Sequence, residues 1–268
     1  MDDEGKDVLM INKSVLIGLI FFLFVFPLAE VAAKGKGVEI PNSVVSIAKE
    51  NTYPNPSEEA QRLEPSALSK ELMESATIPI ENPRLIKMLN ESVLKTTPLA
   101  VGYRAQIFLG EWPLSYQSQD TTVNWNYYVV NENVLDNRGQ ELEQILTYKQ
   151  MKQQRVEGGL TSKVADSEAV KQMMLQKGIE KTKLPLASET VIGLGTKKEQ
   201  IYHVAPGKYG QLISYIPAVS EKGTVIYGEV FLVLKGSKKM IEVKNVTKKG
   251  ISAQFPVQDH LSFQYQAK

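Results

Sequence analysis

Two stretches near the end of the chain, ISAQFPV (251–257) and LSFQYQ (261–266), alternate apolar and polar residues. In the first, Ile251, Ala253, Phe255 and Val257 fall on one side of a two-residue repeat, against Ser252 and Gln254. In the second, Leu261, Phe263 and Tyr265 oppose Ser262, Gln264 and Gln266. Only a strand gathers residues at that period on one face, so both stretches read as strands with one buried and one wet side. VIYGEVFLVL (225–234) is almost wholly apolar and reads as a central strand covered on both sides. The last seventy residues therefore form strand after antiparallel strand. The same period appears in LAVGYRAQIFLGEW (99–112) and in TTVNWNYYVV (121–130), where Val123, Trp125, Tyr127 and Val129 share a face. DNRG (136–139) is turn chemistry after them.

The segments before residue 99 have a helical period. Helices are expected over 41–51, with Val44, Val45, Ile47 and Ala48 on one side; over 65–75, with Leu68, Leu72 and Met73; and over 82–94, where Asn82 caps, Pro83 takes the first position and Leu85, Ile86, Leu89 and Val93 form a stripe. NTYPNPSEEAQRLEP (51–65) carries three prolines and reads as an extended connection. Between 140 and 156 helix propensity competes with strand pattern; the extended reading is preferred up to Asp166, with two strands about Gly158–Gly159. A helix then starts at Asp166 or Ser167 and stops at Gly178. The expected fold is α+β: N-terminal helices, then a large antiparallel sheet or sandwich with one helix inserted near 167–177.

The beginning of the chain carries an address. From Val15 to Ala29 every residue is apolar or Gly, with Pro27 near the end. That is the length of a secretory leader's apolar block and short of the roughly 20 residues a bilayer span needs. Val31 and Ala33 have the small side chains a signal peptidase requires. Cleavage is expected between Ala33 and Lys34, giving a signal peptide over 1–33 and one extracytoplasmic domain over 34–268. An uncleaved N-terminal anchor is the alternative. The acidic MDDEGKDVL before Met10 is unsuited to a leader, whereas MINKS is positive, so the first nine residues read as an over-called start or as a tail that export tolerates. The mature chain has 31 − 2 = 29 basic and 30 − 5 = 25 acidic residues, a mild excess of four positive charges. It has no cysteine. Disulfides and lipoprotein anchoring are thereby excluded, and stability must come from burial. Cysteine-free export with many lysines suits a Gram-positive bacterium.

SVVSIAKENTYPNP, LAVGYRAQIFLGEWPLSYQS, DNRG and HVAPGKYGQLISYIPAVSEKGTVIYGEVFLVL together resemble the YfkD-like proteins of Bacillus-type bacteria. The resemblance runs over the whole mature chain. It implies an exported, single-domain protein with no assigned activity, and it transfers no site residues.

Motifs for known chemistry are sparse. The two histidines, His203 and His260, fall in a strand end and in a turn beside Asp259, with no HExxH and no cysteine to complete a zinc set. GxSxG is absent; in SALSK the lysine lies four residues after Ser66, not three. GLGTKKE (193–199) matches neither a phosphate-binding loop nor a dinucleotide fingerprint. Three carboxylates remain as weak catalytic candidates for cell-wall glycan hydrolysis: Glu111, Asp120 and Glu229, the last inside the apolar strand. The aromatic residues of 111–130 suit either sugar stacking or ordinary sheet filling, and the filling is preferred.

KGSKKMIEVKNVTKKG (235–250) gathers Lys235, Lys238, Lys239, Lys244, Lys248 and Lys249 against Glu242, in a strand expected to lie between turns at Gly236–Ser237 and Lys249–Gly250. Lysines blunt exposed strand edges. They also suit an anionic wall polymer or a membrane surface. The leading functional expectation is an exported, non-enzymatic binding protein, secreted or associated with the cell envelope, with such a surface or another protein as partner. No cofactor and no nucleic-acid partner are expected. The alternatives are a carboxylate-dependent wall hydrolase and, more weakly, a pore-forming-like β protein.

Overall fold

The computed structural model describes residues 37–57, 63–92 and 104–268. The apolar leader, the junction between Ala33 and Lys34, Val93 and the stretch 99–103 lie outside the described residues. In chain order the elements are β1 (Val44–Ser46), α1 (Ala67–Glu74), α2 (Pro83–Glu91), β2 (Arg104–Asp136), β3 (Gln144–Lys149), β4 (Gln154–Glu157), β5 (Gly159–Leu160), α3 (Ser167–Thr182), β6 (Glu189–Ile192), β7 (Lys197–Val204), β8 (Tyr209–Lys235), β9 (Lys238–Pro256) and β10 (His260–Ala267). The fold is β-rich and antiparallel, with three helices among the described residues.

β8 is the spine. Its 27 residues extend about 90 Å at ~3.3 Å per residue. β2 pairs with it from end to end on one side; β10 and then β9 pair on the other. β2 has 33 residues over the same span, so it carries 33 − 27 = 6 extra residues, taken up in register shifts that bend it around the straighter spine.

The buried positions of β8 change parity twice. Leu212 and Ile216 are buried at even positions, Val219, Val225 and Tyr227 at odd ones, then Val230 and Leu232 at even ones again. Successive strand residues point to opposite faces, so each change passes the buried side from one face of the ribbon to the other. Three cores result. At one end β1, β3, β4, β6, β7 and β10 cover Leu212 and Ile216. In the middle α3 covers Val219, Val225 and Tyr227 with Val170, Met173 and Met174. At the other end α1 and α2 cover Leu114, Val230, Leu232 and Ile241 with Leu72, Leu85 and Leu89.

The first expected helix is not formed. Val44 and Val45 lie in a strand paired with Ser262 and Leu261 of β10, where β-branched side chains fit better than in a helix turn. The following ENTYPNP is a strap: the Asn51 and Asn55 amides both donate to the Val191 carbonyl and to Asp259 Oδ1. The other two N-terminal helices form as α1 and α2, with Ser66 and Asn82 as caps. β4 and β5 flank Gly158 but do not pair with each other: β4 joins β6 and β5 joins β9. Gly178 does not end α3, which runs to Thr182; Gly178 instead lies inside the helix close to Leu186, whose Cδ1 a Cβ would meet at 2.9 Å. Nor does Lys249–Gly250 make a turn: β9 continues straight through it.

Candidate functional site

The hairpin end of the ribbon is built from β2, β8 and β9. Cross-strand partners share a face, so the register lays out rows of three side chains on the side away from α1 and α2. At the very end Arg104, Lys235 and Lys238 stand side by side. Gln106, Val233 and Met240 form the next row, then Phe108, Phe231 and Glu242, then Glu111, Glu229 and Lys244. Phe108 is 58% exposed and its ring lies 5.2 Å from that of Phe231. The Lys244 ammonium sits over the Phe231 ring, 5.0 Å from its centroid. Gln106 Nε2 donates to Glu242 at 3.0 Å, and Lys244 lies 3.6 Å from the same carboxylate. Asn245, at φ 50° in the bulge of β9, donates to Glu229 at 2.8 Å.

The expected catalytic carboxylates separate into two groups. Glu111 and Glu229 lie directly opposite each other, beside Lys244. Asp120 is exposed and pairs with Lys222, seven spine residues away, about 23 Å at ~3.3 Å per residue. The Glu111–Glu229 pair lies on an open sheet face rather than in a cleft. Of the lysines, Lys235, Lys238, Lys244, Lys248 and Lys249 are exposed, and Lys249 Nζ also donates to the Lys163 carbonyl at 3.0 Å. Asn124 and Asn126 face solvent, and Val123 and Trp125 pack on the middle core, which is sheet filling. His203 pairs with Glu143 at 2.7 Å, and His260 Nδ1 lies 2.8 Å from the Gln258 carbonyl. Among the described residues no three His, Asp or Glu side chains gather as a metal site, and no helix is long and apolar enough to cross a membrane.

Two features were not read from the sequence. Glu221, fully buried, accepts hydrogen bonds from Tyr116 at 3.0 Å, from Thr121 at 2.6 Å and from Ser118. Lys181 of α3 reaches the same Ser118 hydroxyl at 2.6 Å. Burial, and then the negative Glu221 beside it, push the Tyr116 phenol well above its ordinary range. The second is a cavity of about 680 Å³ between α1, α2 and α3, with Met73, Ile86, Met173 and Ile179 in its lining. At its rim Lys177 pairs with Glu81 at 3.2 Å and Glu180 at 3.5 Å. Burial alone would lower the Lys177 ammonium pKa, but the two carboxylates raise it.

Residues 41–268 match the family model described as YfkD-like protein. The chain belongs to the YfkD-like family. It is 57% identical over 253 residues to the uncharacterized protein YfkD of Bacillus subtilis (strain 168), covering 94% of this chain and 95% of that one. Among solved structures the crystal structure of Lamprey immune protein overlaps 61% of this chain and 53% of its own, at a TM-score of 0.25 and 6% identity, too loose a match to bear on fold or function. The family phrases fall on the parts that organise the ribbon. ENTYPNP is the strap, IFLGEWPLSYQS holds two of the bulges of β2, and the long phrase from His203 to Leu234 is the end of β7 and nearly all of the spine.

Proposed function

We propose that this chain is a non-catalytic, extracytoplasmic protein of the cell envelope that binds an anionic surface through the hairpin end of its ribbon. One observation carries this reading: Arg104, Lys235 and Lys238 occupy one cross-strand row. Like charges directly opposite each other destabilise a sheet. An anionic partner turns that cost into attraction, on the order of 1 kcal/mol per cation near the surface. Lys239, Lys244, Lys248 and Lys249 continue the positive charge along β9. The hydrolase alternative rests on the Glu111–Glu229 opposition, but the open face lacks the enclosure that a glycan site needs. The pore-forming alternative asked for very long strands with a tucked amphipathic hairpin; the long strands are present, and the ribbon is covered by α1, α2 and α3.

Co-sedimentation of the purified protein with isolated bacterial envelopes tests the proposal. Binding is expected to fall steeply from low to physiological salt, as the Debye length shrinks from about 30 Å to about 8 Å. Replacing Arg104, Lys235 and Lys238 together by Gln should remove most of it, with the melting temperature equal or slightly raised because the like charges are gone. Lys249 is spared because its contact with the Lys163 carbonyl would mix stability into the result. A triple variant that sediments like the parent refutes the proposal.

A further inference from the structure

We infer that the anionic surface is a phospholipid bilayer rather than a soluble polyanion, and that the open face of the hairpin end lies flat on it with Phe108, Phe231, Val233 and Met240 among the headgroups; this rests on the binding role proposed above. A polyanion needs only cations. Here the basic row is followed by two rows in which Val233, Met240, Phe108 and Phe231 accompany Gln106 and Glu242, on the face that none of the described helices covers. Phe108 is the most exposed of them, and its neighbour Phe231 meets both the Phe108 ring and the Lys244 ammonium. Three strands at ~4.8 Å spacing make a band about 10 Å wide between outer strand axes, a patch that suits shallow insertion of ~5–10 Å. The lysine stems are long enough to keep their ammonium groups among phosphates while the rings go deeper. Glu242 is paired with Lys244, whereas Glu111 and Glu229 keep their charge in the row farthest from the hairpin end. The excess positive charge is therefore concentrated at the tip, on Arg104, Lys235 and Lys238.

The test compares vesicles of phosphatidylcholine, vesicles containing phosphatidylglycerol, and soluble polyphosphate, using the full chain, Phe108→Ser and the Arg104/Lys235/Lys238→Gln triple variant. The parent should bind phosphatidylglycerol vesicles and keep part of that binding at physiological salt. Phe108→Ser should weaken vesicle binding about tenfold, from the lost apolar transfer alone, and leave polyphosphate binding unchanged. The triple variant should lose both. Phe108 is exposed, so its replacement leaves the fold intact, and an equal melting temperature verifies that. Phe108→Trp should shift its emission to the blue on phosphatidylglycerol vesicles and not on polyphosphate. Polyphosphate binding with no vesicle binding, or vesicle binding indifferent to Phe108→Ser, overturns the lipid inference and leaves the anionic-surface role standing. Absence of binding to vesicles, polyphosphate and envelopes overturns both.

Discussion

Replacing Glu221 by Ala tests whether the buried carboxylate holds β2 to the spine. Its oxygens accept from three β2 hydroxyls, those of Tyr116, Ser118 and Thr121, which lie on both sides of the Ser118–Asp120 bulge. Hydrogen bonds to a charged group contribute ~1.5–3 kcal/mol each. A simple sum over three overstates the effect, because they share one carboxylate whose burial costs several kcal/mol. The variant removes that cost but leaves the Tyr116 hydroxyl buried without its acceptor, at ~1–3 kcal/mol. It also opens a small cavity at a fully buried position. The expected loss is about 3 kcal/mol, or about 10 °C in melting temperature for a domain of this size. Glu221→Gln keeps the shape and one acceptor oxygen; its amide nitrogen cannot accept, so one hydroxyl loses its partner and the loss is about 1–2 kcal/mol. Urea unfolding followed by circular dichroism measures both. A Tyr116→Phe and Glu221→Ala double-mutant cycle should give a coupling of about 1 kcal/mol. If alanine and glutamine variants both unfold within about 0.5 kcal/mol of the parent, the carboxylate holds nothing and the reasoning fails.

Asp136, where β2 ends, accepts a side-chain and then a backbone hydrogen bond from Arg138, and its carboxyl titrates at about 2, below the ordinary range. The lowered value means that the folded state favours the charged form, so the contact stabilises above the unfolded value of ~3.9 and is lost as pH falls from there towards 2. An NMR titration should find that midpoint, and Arg138→Gln should raise it; an unchanged midpoint in the variant removes Arg138 as the cause. The mature protein is expected to begin at Lys34, and N-terminal sequencing of the exported protein that reads from Met10 or earlier contradicts the cleavage argument.

Period-two alternation was legible wherever one face of a strand is wet and the other dry. It marked the strands of 251–266 and the face of Val123 and Trp125, because side-chain direction in a strand is a local property of the backbone. The expected face broke at Val129, which is 53% exposed beyond the register shift at Asn124–Tyr128, and the apolar run 225–234, expected to be covered on both sides, leaves Phe231 and Val233 on the open face. Caps were legible because they too are local: Asn82 satisfies the amides of Arg84 and Leu85 within its own turn. The identical logic failed at Val44–Ser46, where the helical spacing of apolar residues was real but the edge of β10 offered partners more than two hundred residues away in sequence, such as Ser262 for Val44 (262 − 44 = 218), outside any local window.

Which face is buried at which point was decided only by the tertiary structure. Glu221 and Glu229 have the same parity on one unbroken spine, so alternation alone treats them alike. Glu221 lies under α3 and is fully buried; Glu229 is beyond the second parity change, on the open face with Phe231. The position of that change depends on bulges in β2 and β9 and on where α1, α2 and α3 dock, none of which is written in the spine's own residues. The rows of cations and aromatics at the hairpin end arise the same way. Arg104 and Phe108 meet Lys235 and Phe231 across more than a hundred residues of chain, because side chains on different strands become neighbours only when register is fixed, and register is a property of the whole sheet. By itself the sequence determined that the chain would build antiparallel strands and stabilise them by burial without disulfides, since composition and period act residue by residue; that 104–136 and 209–235 each run on as one long strand came only with the sheet. The fold determined which charged groups are buried and which are offered to a partner, since that depends on what lies opposite them in space.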